Sequence, residues 1–389
     1  MSWKVTDVVT KRLEFVLRRE AGERMSDLCR EYEISRKTGY KFWNRYKEKG
    51  REGLGDYSRR PLRHPNRTPA EIEELVVRAR EAHPTWGPKK LRVFLRDRHP
   101  GVPIPAASTI GELLKKNALV RPRRRVRRAT PTPLRDLTKP ESPNDVWCAD
   151  FKGQFKTKDG KYCFPLTITD LHSRYILACD ALENTRTGGA YAVFAQAFET
   201  YGLPKVIRTD NGPPFASTGL LGLSRLSVWW RRLGIRPERI EPGQPQQNGS
   251  HERMHLTLKQ DTTRPPGANG LQQQEKFDDF RVTFNELRPH EALDMRCPAA
   301  LYEFSPREFP DYIEEPTYPL HDVTRRVQRG GHLHVPGLNG WQPYICMSLA
   351  NEVVGLRELE PQKWLLSYLD LDLGTIDGDR RRFEPLGQP

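Results

Sequence analysis

Each of two turn-rich stretches carries one carboxylate: Thr209-Asp210-Asn211-Gly212 and Gln247-Asn248-Gly249-Ser250-His251-Glu252. A third acid, Asp150, lies near the end of the apolar run Asp145-Val146-Trp147-Cys148-Ala149-Asp150-Phe151. Converging carboxylates repel one another unless a cation lies between them, and oxygen ligands of this kind suit Mg²⁺. In a chain of net charge +14, these acids predict a cage for divalent metal ions that cuts or joins a polyanion.

The basic residues are concentrated in the front part of the chain. Residues 1–140 contain 35 Lys and Arg against 17 Asp and Glu, a net charge of +18, whereas the remainder contains 29 against 33. This distribution is typical of a nucleic-acid-binding region joined to a separate functional domain, although basic residues that serve only solubility would give the same charge. At 389 residues the chain is long enough for about two to four domains.

The cysteines and the apolar residues indicate in which cellular compartment we expect the protein. The six cysteines form no C-x-x-C pair, so neither a disulfide framework nor a structural zinc site is indicated. The first residues do not resemble a signal peptide, and no apolar run approaches the roughly 20 residues that span a bilayer. We therefore expect a soluble protein of the reducing cytoplasm.

Residues 1–58 predict a helix-turn-helix domain. Met25, Leu28, Cys29 and Tyr32 follow helical spacing, and Ser35 is suited to cap a second helix over residues 36–49. In this motif the second helix enters the major groove and its early residues face the bases. A surface helix pair with solvated charges is the alternative. The predicted DNA contacts are Arg36, Lys37, Thr38, Tyr40, Lys41 and Arg45.

A second helical DNA-binding domain is predicted over residues 66–120. Its helices begin after Thr68-Pro69 and cover about residues 89–98 and 106–117, and Lys89 and Lys90 are candidate DNA contacts. A basic linker over residues 121–141 follows, and such a run either docks on phosphate or remains a solvated connection. Its candidate DNA contacts are Arg123, Arg124, Arg125, Arg127 and Arg128.

The next part of the chain predicts a mixed α/β sheet like that of RNase H, over residues 142–310. Asp150 lies on the first strand and Asp210 just past the fourth, and these strands are neighbours in that topology. A helix from about Ser250 places Glu252 in its first turn, where the helix dipole favours a carboxylate. Lys259, seven residues on, lies on the same face and is a candidate phosphate contact. The predicted strands cover residues 146–151, 164–170, 175–181 and 205–209, with a helix over 187–201, and residues 320–389 predict a small β-barrel.

Residues 144–300 resemble the integrase core of bacterial insertion-sequence transposases, which are related to retroviral integrases. Five motifs occur in the family's order: Trp147-x-x-Asp150-Phe151, Thr209-Asp210-Asn211-Gly212-x-x-Phe215, Pro245-Gln246-Gln247-Asn248-Gly249-x-x-Glu252-Arg253, Thr257-Leu258-Lys259 and Asn285-x-x-Arg288-Pro289-His290-x-Ala292-Leu293. The resemblance implies that Asp150, Asp210 and Glu252 form an Asp-Asp-Glu triad that is both catalytic and metal-binding. It also makes Asn248 a candidate DNA contact.

The triad implies a two-metal mechanism. Two Mg²⁺ ions about 3.5–4 Å apart, with Mn²⁺ as a substitute, would activate the attacking oxygen and stabilise the leaving 3′ oxygen. The attacking oxygen is water when DNA is cut and a DNA 3′-hydroxyl when strands are joined. The sequence thus predicts a transposase that binds terminal inverted repeats and transfers their 3′ ends to target DNA. Its expected partners are double-stranded DNA and other copies of the chain, at the nucleoid of a bacterial cell and without a membrane.

Several alternatives remain open at this stage. The gap between Asp210 and Glu252 is 41 residues, longer than is typical of the family, so Glu238 and Glu241 compete for the third position. Residues 251–255 also match H-E-x-x-H, the signature of zinc metalloproteases, although no third ligand is evident downstream and His251 and His255 equally fit packing or DNA-proximal roles. A DNA-binding regulator with an inactive core, and a nuclease that cuts without joining, are further alternatives.

Overall fold

The computed structural model describes residues 8–58, 67–120, 137–241 and 245–386. The chain divides into two compact units, Met1–Arg67 and Thr68–Pro389. Among the described residues, no helix is both long enough and apolar enough to cross a membrane. All six cysteines are unpaired.

The first unit is helical, as predicted. Ser35 caps its third helix, because its Oγ accepts a hydrogen bond from the backbone N–H of Thr38. Gly39 allows the second and third helices to approach closely, since a Cβ at this position would lie 2.6 Å from Sγ of Cys29. The helices are α1 (Val8–Glu20), α2 (Met25–Glu31) and α3 (Arg36–Lys49), and their shared core contains Phe15, Val16, Met25, Leu28, Cys29, Phe42 and Leu54.

The second unit begins with a three-helix module. Its core surrounds Trp86, which is 1% exposed and stacks on the ring of His83 at a centroid distance of 3.9 Å. Pro88 starts the second of its helices, at a position where the missing N–H costs nothing. The helices are α4 (Ala70–Ala82), α5 (Pro88–Arg98) and α6 (Ala107–Lys116).

A mixed sheet forms the centre of the second unit, and all four predicted strands are present. Its strand order is β2-β3-β1-β5-β6, with β4 also paired to β3. Strand β1 is antiparallel to β3 and parallel to β5, so the strand of Asp150 and the strand before Asp210 are neighbours, as predicted. The strands are β1 (Val146–Phe151), β2 (Phe155–Lys156), β3 (Tyr162–Asp170), β4 (Ile176–Leu182), β5 (Val206–Thr209) and β6 (Arg236–Arg239).

Helices cover both faces of this sheet. On one face, Trp147 and Ala149 of β1 pack with α7 (Thr187–Tyr201) and α8 (Arg225–Arg232). On the other face, strands β3 and β4 pack with α9 (Gly249–Thr262) and α10 (Gly270–Val282) through residues such as Met254 and Phe277. Side chains alternate along a strand, so Cys148 and Asp150 point away from Trp147 and Ala149, toward the side covered by α9.

The end of the chain forms a second sheet. It is antiparallel, in the order β11-β10-β9-β8-β7, and its core includes Leu356, Leu366 and Ile376. Strands β7 and β11 lie at opposite ends of this order, and closure of the sheet into a barrel stays a prediction. The strands are β7 (Val323–Arg326), β8 (Val353–Glu360), β9 (Lys363–Tyr368), β10 (Leu371–Asp377) and β11 (Arg382–Pro385).

Candidate active site

Asp150 lies at the centre of the candidate site. It pairs with Thr167 of β3 across the antiparallel strands, and its side chain is 26% exposed. Burial, together with the negative charges of Asp210 and Glu252, raises the pKa of Asp150 to about 7. The three acids of the predicted triad therefore interact electrostatically, and the interaction disfavours the ionised form of Asp150.

Asp210 enters the site from the neighbouring strand. It follows β5, in which Thr209 pairs with Ala149 of β1, so Asp210 and Asp150 come next on parallel strands. Its Oδ1 accepts a hydrogen bond of 3.2 Å from the backbone N–H of Gly212. Burial raises the pKa of Asp210.

Glu252 lies in the first turn of α9 and its side chain is exposed. The competing Glu238 has another role, because its Oε2 accepts a hydrogen bond of 2.7 Å from Nε of Arg208. Glu238 Oε1 also accepts hydrogen bonds from the backbone N–H and the hydroxyl of Thr138. Glu238 is thus committed to holding Thr138 against strands β5 and β6. The backbone N–H of Glu241 donates to Oε1 of Gln247.

His251 and His255 of the H-E-x-x-H motif are buried in the fold, with exposed fractions of 1% and 3%. Burial and the charge of Lys152 lower the pKa of His251 to about 3, and burial also lowers the pKa of His255. Burial therefore favours the neutral form of both rings. Nδ1 of His255 lies 3.7 Å from Oδ2 of Asp150.

The potential metal ligands fall into two sets. In the part of the chain that the structure describes, one group of three has all its ligand atoms within 4.8 Å of one another, and it consists of Asp150, His251 and His255. Asp210 and Glu252 do not join Asp150 at that spacing. They act on it through charge, and this repulsion is what a divalent cation bound among carboxylate oxygens would relieve. The carboxylate oxygens of Asp150, Asp210 and Glu252 are ligands of the kind that suits a divalent cation.

The predicted DNA contacts of the first unit lie on α3. Arg36, Lys37, Tyr40 and Lys41 are exposed. Thr38 is held at the start of the helix, with its hydroxyl 2.8 Å from that of Ser35. The guanidinium of Arg45 lies over the ring of Tyr57, 4.0 Å from its centroid.

Two of the predicted DNA contacts in the second unit are engaged or buried. Lys90 donates a hydrogen bond to the carbonyl oxygen of Pro289, and burial lowers its pKa to about 8. Asn248 is 5% exposed. Both side chains are thus packed within the unit, and their contacts with DNA stay predictions.

The other predicted contacts in this unit differ in their surroundings. Lys89 is exposed but forms an ion pair of 3.3 Å with Glu291. Lys259 is exposed on α9, as expected. Arg123, Arg124, Arg125, Arg127 and Arg128 lie outside the described residues.

Family models match four segments of the chain. Two models described as an integrase core domain match residues 140–245 and 233–298, and together they contain Asp150, Asp210 and Glu252. A helix-turn-helix domain matches residues 11–61, and a homeodomain-like domain matches residues 38–114.

Similar proteins include products of mobile elements. An uncharacterized 39.2 kDa protein of insertion element IS476 from Xanthomonas euvesicatoria is 29% identical, over 63% of this chain and 69% of its own length. An uncharacterized 31.7 kDa protein of insertion element IS407 from Burkholderia multivorans is 28% identical, over 49% of this chain and 66% of its own length. The Gag-Pol polyprotein of baboon endogenous virus is 32% identical over 37% of this chain, which spans only 8% of that polyprotein.

Solved structures of viral integrases are similar at lower identity. The HTLV-2 integrase catalytic core domain in complex with magnesium is 18% identical, with 42% of this chain and 100% of that chain covered and a TM-score of 0.32. A simian T-cell lymphotropic virus intasome in complex with PP2A regulatory subunit B56 gamma is also 18% identical. The match covers 81% of this chain and 95% of the intasome chain, with a TM-score of 0.38.

Proposed function

We propose that this chain, which carries an integrase core domain behind helix-turn-helix domains and has insertion-element proteins among its homologues, is a DNA transposase. It binds the terminal inverted repeats of its element, cleaves the 3′ ends and joins them to target DNA. The observation that carries the proposal is that Asp150 and Asp210 come next after paired residues of the parallel strands β1 and β5, with Glu252 in the first turn of α9.

Asp150, Asp210 and Glu252 would hold two Mg²⁺ ions. When bound, the ions supply activation of the attacking oxygen and stabilisation of the leaving 3′ oxygen. The sheet fixes Asp150 and Asp210 at adjacent positions, so these two carboxylates are already oriented before substrate binds. Glu252 comes from a separate helix, and its exposure leaves it accessible to a DNA strand.

Basic residues on two elements would position the DNA. Lys259 lies seven residues after Glu252 on α9, which returns it to the same face of the helix, where it can bind a phosphate beside the triad. The exposed Arg36, Lys37 and Lys41 of α3 would contact the inverted repeat in the major groove. Two element ends must be processed together, so we propose that the chain acts as an oligomer on DNA.

The decisive experiment uses labelled duplexes that carry the inverted repeats flanking the reading frame. The full chain is incubated with them and a second, unlabelled duplex, in Mg²⁺ or in EDTA. Mg²⁺-dependent nicking at the 3′ ends, followed by joining to the second duplex, is the expected result. Nicking without joining would identify a nuclease, and sequence-specific binding without cleavage in any divalent metal would identify a regulator.

A further inference from the structure

A buried polar cluster connects α9 to strand β3 directly behind Asp150. It consists of the rings of His251 and His255 and the hydroxyls of Thr167 and Thr169. All four residues are at most 6% exposed, and the same helix packs its apolar side chains, such as Met254, into the core. Polar groups buried among apolar ones are costly unless each finds a partner, so this cluster is held together by its internal hydrogen bonds.

The hydroxyl of Thr167 is the centre of the cluster. Its Oγ1 lies 2.8 Å from Nε2 of His251 and 2.7 Å from Nε2 of His255. It also lies 3.2 Å from the backbone carbonyl oxygen of Asp150, a longer contact than the other two. Nδ1 of His251 lies 2.8 Å from Oγ1 of Thr169, and Nδ1 of His255 faces the Asp150 carboxylate.

The number of protons in the cluster limits its arrangement. A neutral imidazole has one N–H donor and one acceptor nitrogen, and a hydroxyl has a single proton to donate. Thr167 can therefore donate to only one of its three neighbours, the two imidazoles and the Asp150 carbonyl, and at least one imidazole must donate to Thr167. The carboxylate of Asp150, ionised as it would be beside a bound cation, favours a proton on Nδ1 of His255. Nε2 of His255, at 2.7 Å, then accepts the Thr167 proton in preference to the carbonyl of Asp150, at 3.2 Å.

The remaining hydrogen bonds follow from this assignment. Nε2 of His251 donates to Thr167, and Nδ1 of His251 accepts from Thr169. All the hydrogen bonds then run in one direction, from Thr169 through His251, Thr167 and His255 toward Asp150. The last contact, at 3.7 Å, is longer than a hydrogen bond and is an electrostatic contact between an N–H group and a carboxylate.

We propose that this chain of two histidines and two threonines positions Asp150 for metal binding and holds α9, with Glu252, at a fixed height above the sheet. The inference rests on the proposed function, because that function makes Asp150 and Glu252 metal ligands. Thr167, His251 and His255 are positioning residues here, and none of them is a metal ligand. Each ring nitrogen that could bind a metal already faces a hydroxyl or the Asp150 carboxylate, so the H-E-x-x-H pattern does not need zinc.

The test compares substitutions of buried threonines in the full-length chain. Thr167→Val keeps the branched shape and removes the hydroxyl, whereas Thr167→Ser keeps the hydroxyl. Thr262→Val is the matched control, because Thr262 is also buried, at 2% exposure, but its hydroxyl donates to the carbonyl of Leu258 within its own helix. Mn²⁺ affinity is measured by calorimetry, and the Mg²⁺ concentration for half-maximal cleavage is measured in parallel.

We expect Thr167→Val to weaken Mn²⁺ binding by about tenfold or more and to raise the half-maximal Mg²⁺ concentration similarly, as loss of groups that orient metal ligands does. Thr167→Ser and Thr262→Val should stay within about twofold of wild type, and all variants should bind DNA alike. Wild-type metal affinity in folded Thr167→Val would overturn the inference while leaving the proposed function intact. Wild-type protein that neither binds Mn²⁺ nor cleaves DNA would overturn the proposed function itself.

A second measurement needs no substitution that could prevent folding. Nitrogen NMR of histidine-labelled wild-type protein reports the tautomer of each ring. The expected result is a proton on Nε2 of His251 and on Nδ1 of His255, and a proton on Nε2 of His255 would overturn the proposed direction of the chain. Stoichiometric zinc in the purified protein, lost in His255→Ala, would overturn it as well, because the imidazoles would then be ligands.

Discussion

Ala149 pairs with Thr209 across the parallel strands β1 and β5, so the residues that follow them, Asp150 and Asp210, lie at the same level of the sheet. This pairing connects residues far apart in sequence and places two carboxylates at adjacent strand ends. Because burial and charge already raise the pKa of Asp150, the arrangement is electrostatically unfavourable without a cation. Such a placement favours a metal-binding role over a structural one.

The first prediction concerns the three acids. Asp150→Asn, Asp210→Asn and Glu252→Gln are each expected to reduce strand cleavage by at least about 10³-fold, because each removes a charged ligand worth several kcal/mol in a metal-dependent transition state. DNA binding should change little, since the predicted DNA-reading helix α3 belongs to a different unit. Cleavage rates and binding affinity on the same labelled duplex check both statements.

A matched control for these substitutions is Glu275→Gln on α10. Glu275 is exposed and carries the same charge, so its loss tests whether any acid of the second unit affects cleavage. We expect wild-type rates. Robust Mg²⁺-dependent cleavage by any one of the three triad variants would remove that residue from the proposed site.

The second prediction separates Glu238 from Glu252. Glu238 forms a buried ion pair with Arg208, the two side chains being 13% and 5% exposed, and loss of one partner of such a pair costs about 3–5 kcal/mol. Glu238→Gln should therefore lower the free energy of unfolding by about this amount and retain cleavage below its unfolding temperature. Glu252→Gln should do the reverse, with near-normal stability and no cleavage. Urea unfolding and cleavage assays on both variants check this prediction. Loss of cleavage in Glu238→Gln with normal cleavage in Glu252→Gln would contradict it.

The sequence predicted those features that depend on neighbouring residues. The strands around Asp150 are apolar runs bounded by turns, and the cap at Ser35 is a local hydrogen bond, so each could be recognised without knowledge of the fold. The resemblance to integrase cores then placed Asp210 beside Asp150. Whether these residues are the catalytic ones stays a prediction.

Features that depend on distant contacts were not predictable in the same way. Lys90 is packed against Pro289, a residue 199 positions away, and nothing near Lys90 indicates that contact. The H-E-x-x-H pattern is local, but its histidines bind hydroxyls of β3 more than eighty residues earlier. The pairing of the outer strands β7 and β11, which decides between an open sheet and a barrel, is likewise a long-range property.

The third prediction concerns pH and His290. Burial, together with the positive charges of Lys90, Arg288 and Arg174, lowers the pKa of His290 to about 3, from 6.5 in the unfolded chain. Between about pH 3 and pH 6.5 the unfolded state binds one proton more than the folded state. The stability that depends on a neutral, buried His290 is therefore fully present above about pH 6.5 and is lost as the pH falls toward 3.

The free energy of unfolding of the wild type should therefore fall by about 2 kcal/mol more than that of His290→Leu between pH 7.5 and pH 5.0. Urea unfolding at both pH values measures the difference. His334→Leu, which removes an exposed imidazole, should keep the wild-type dependence. If the free energy of unfolding depended on pH equally in His290→Leu and in wild type, the pKa of His290 would not be lowered by folding.

The last prediction concerns α3, the helix predicted to read DNA. Lys37 is exposed on α3, and if it contacts a phosphate of the inverted repeat, Lys37→Ala should reduce the slope of log affinity against log salt concentration by about 0.9. Lys11→Ala removes the same charge from α1 of the same unit and should leave the slope unchanged. Binding of the full chain to the repeat at several salt concentrations measures both slopes. Equal slopes for the two variants would show that α3 does not lie on the DNA backbone at Lys37, and the recognition surface would have to be sought on another helix.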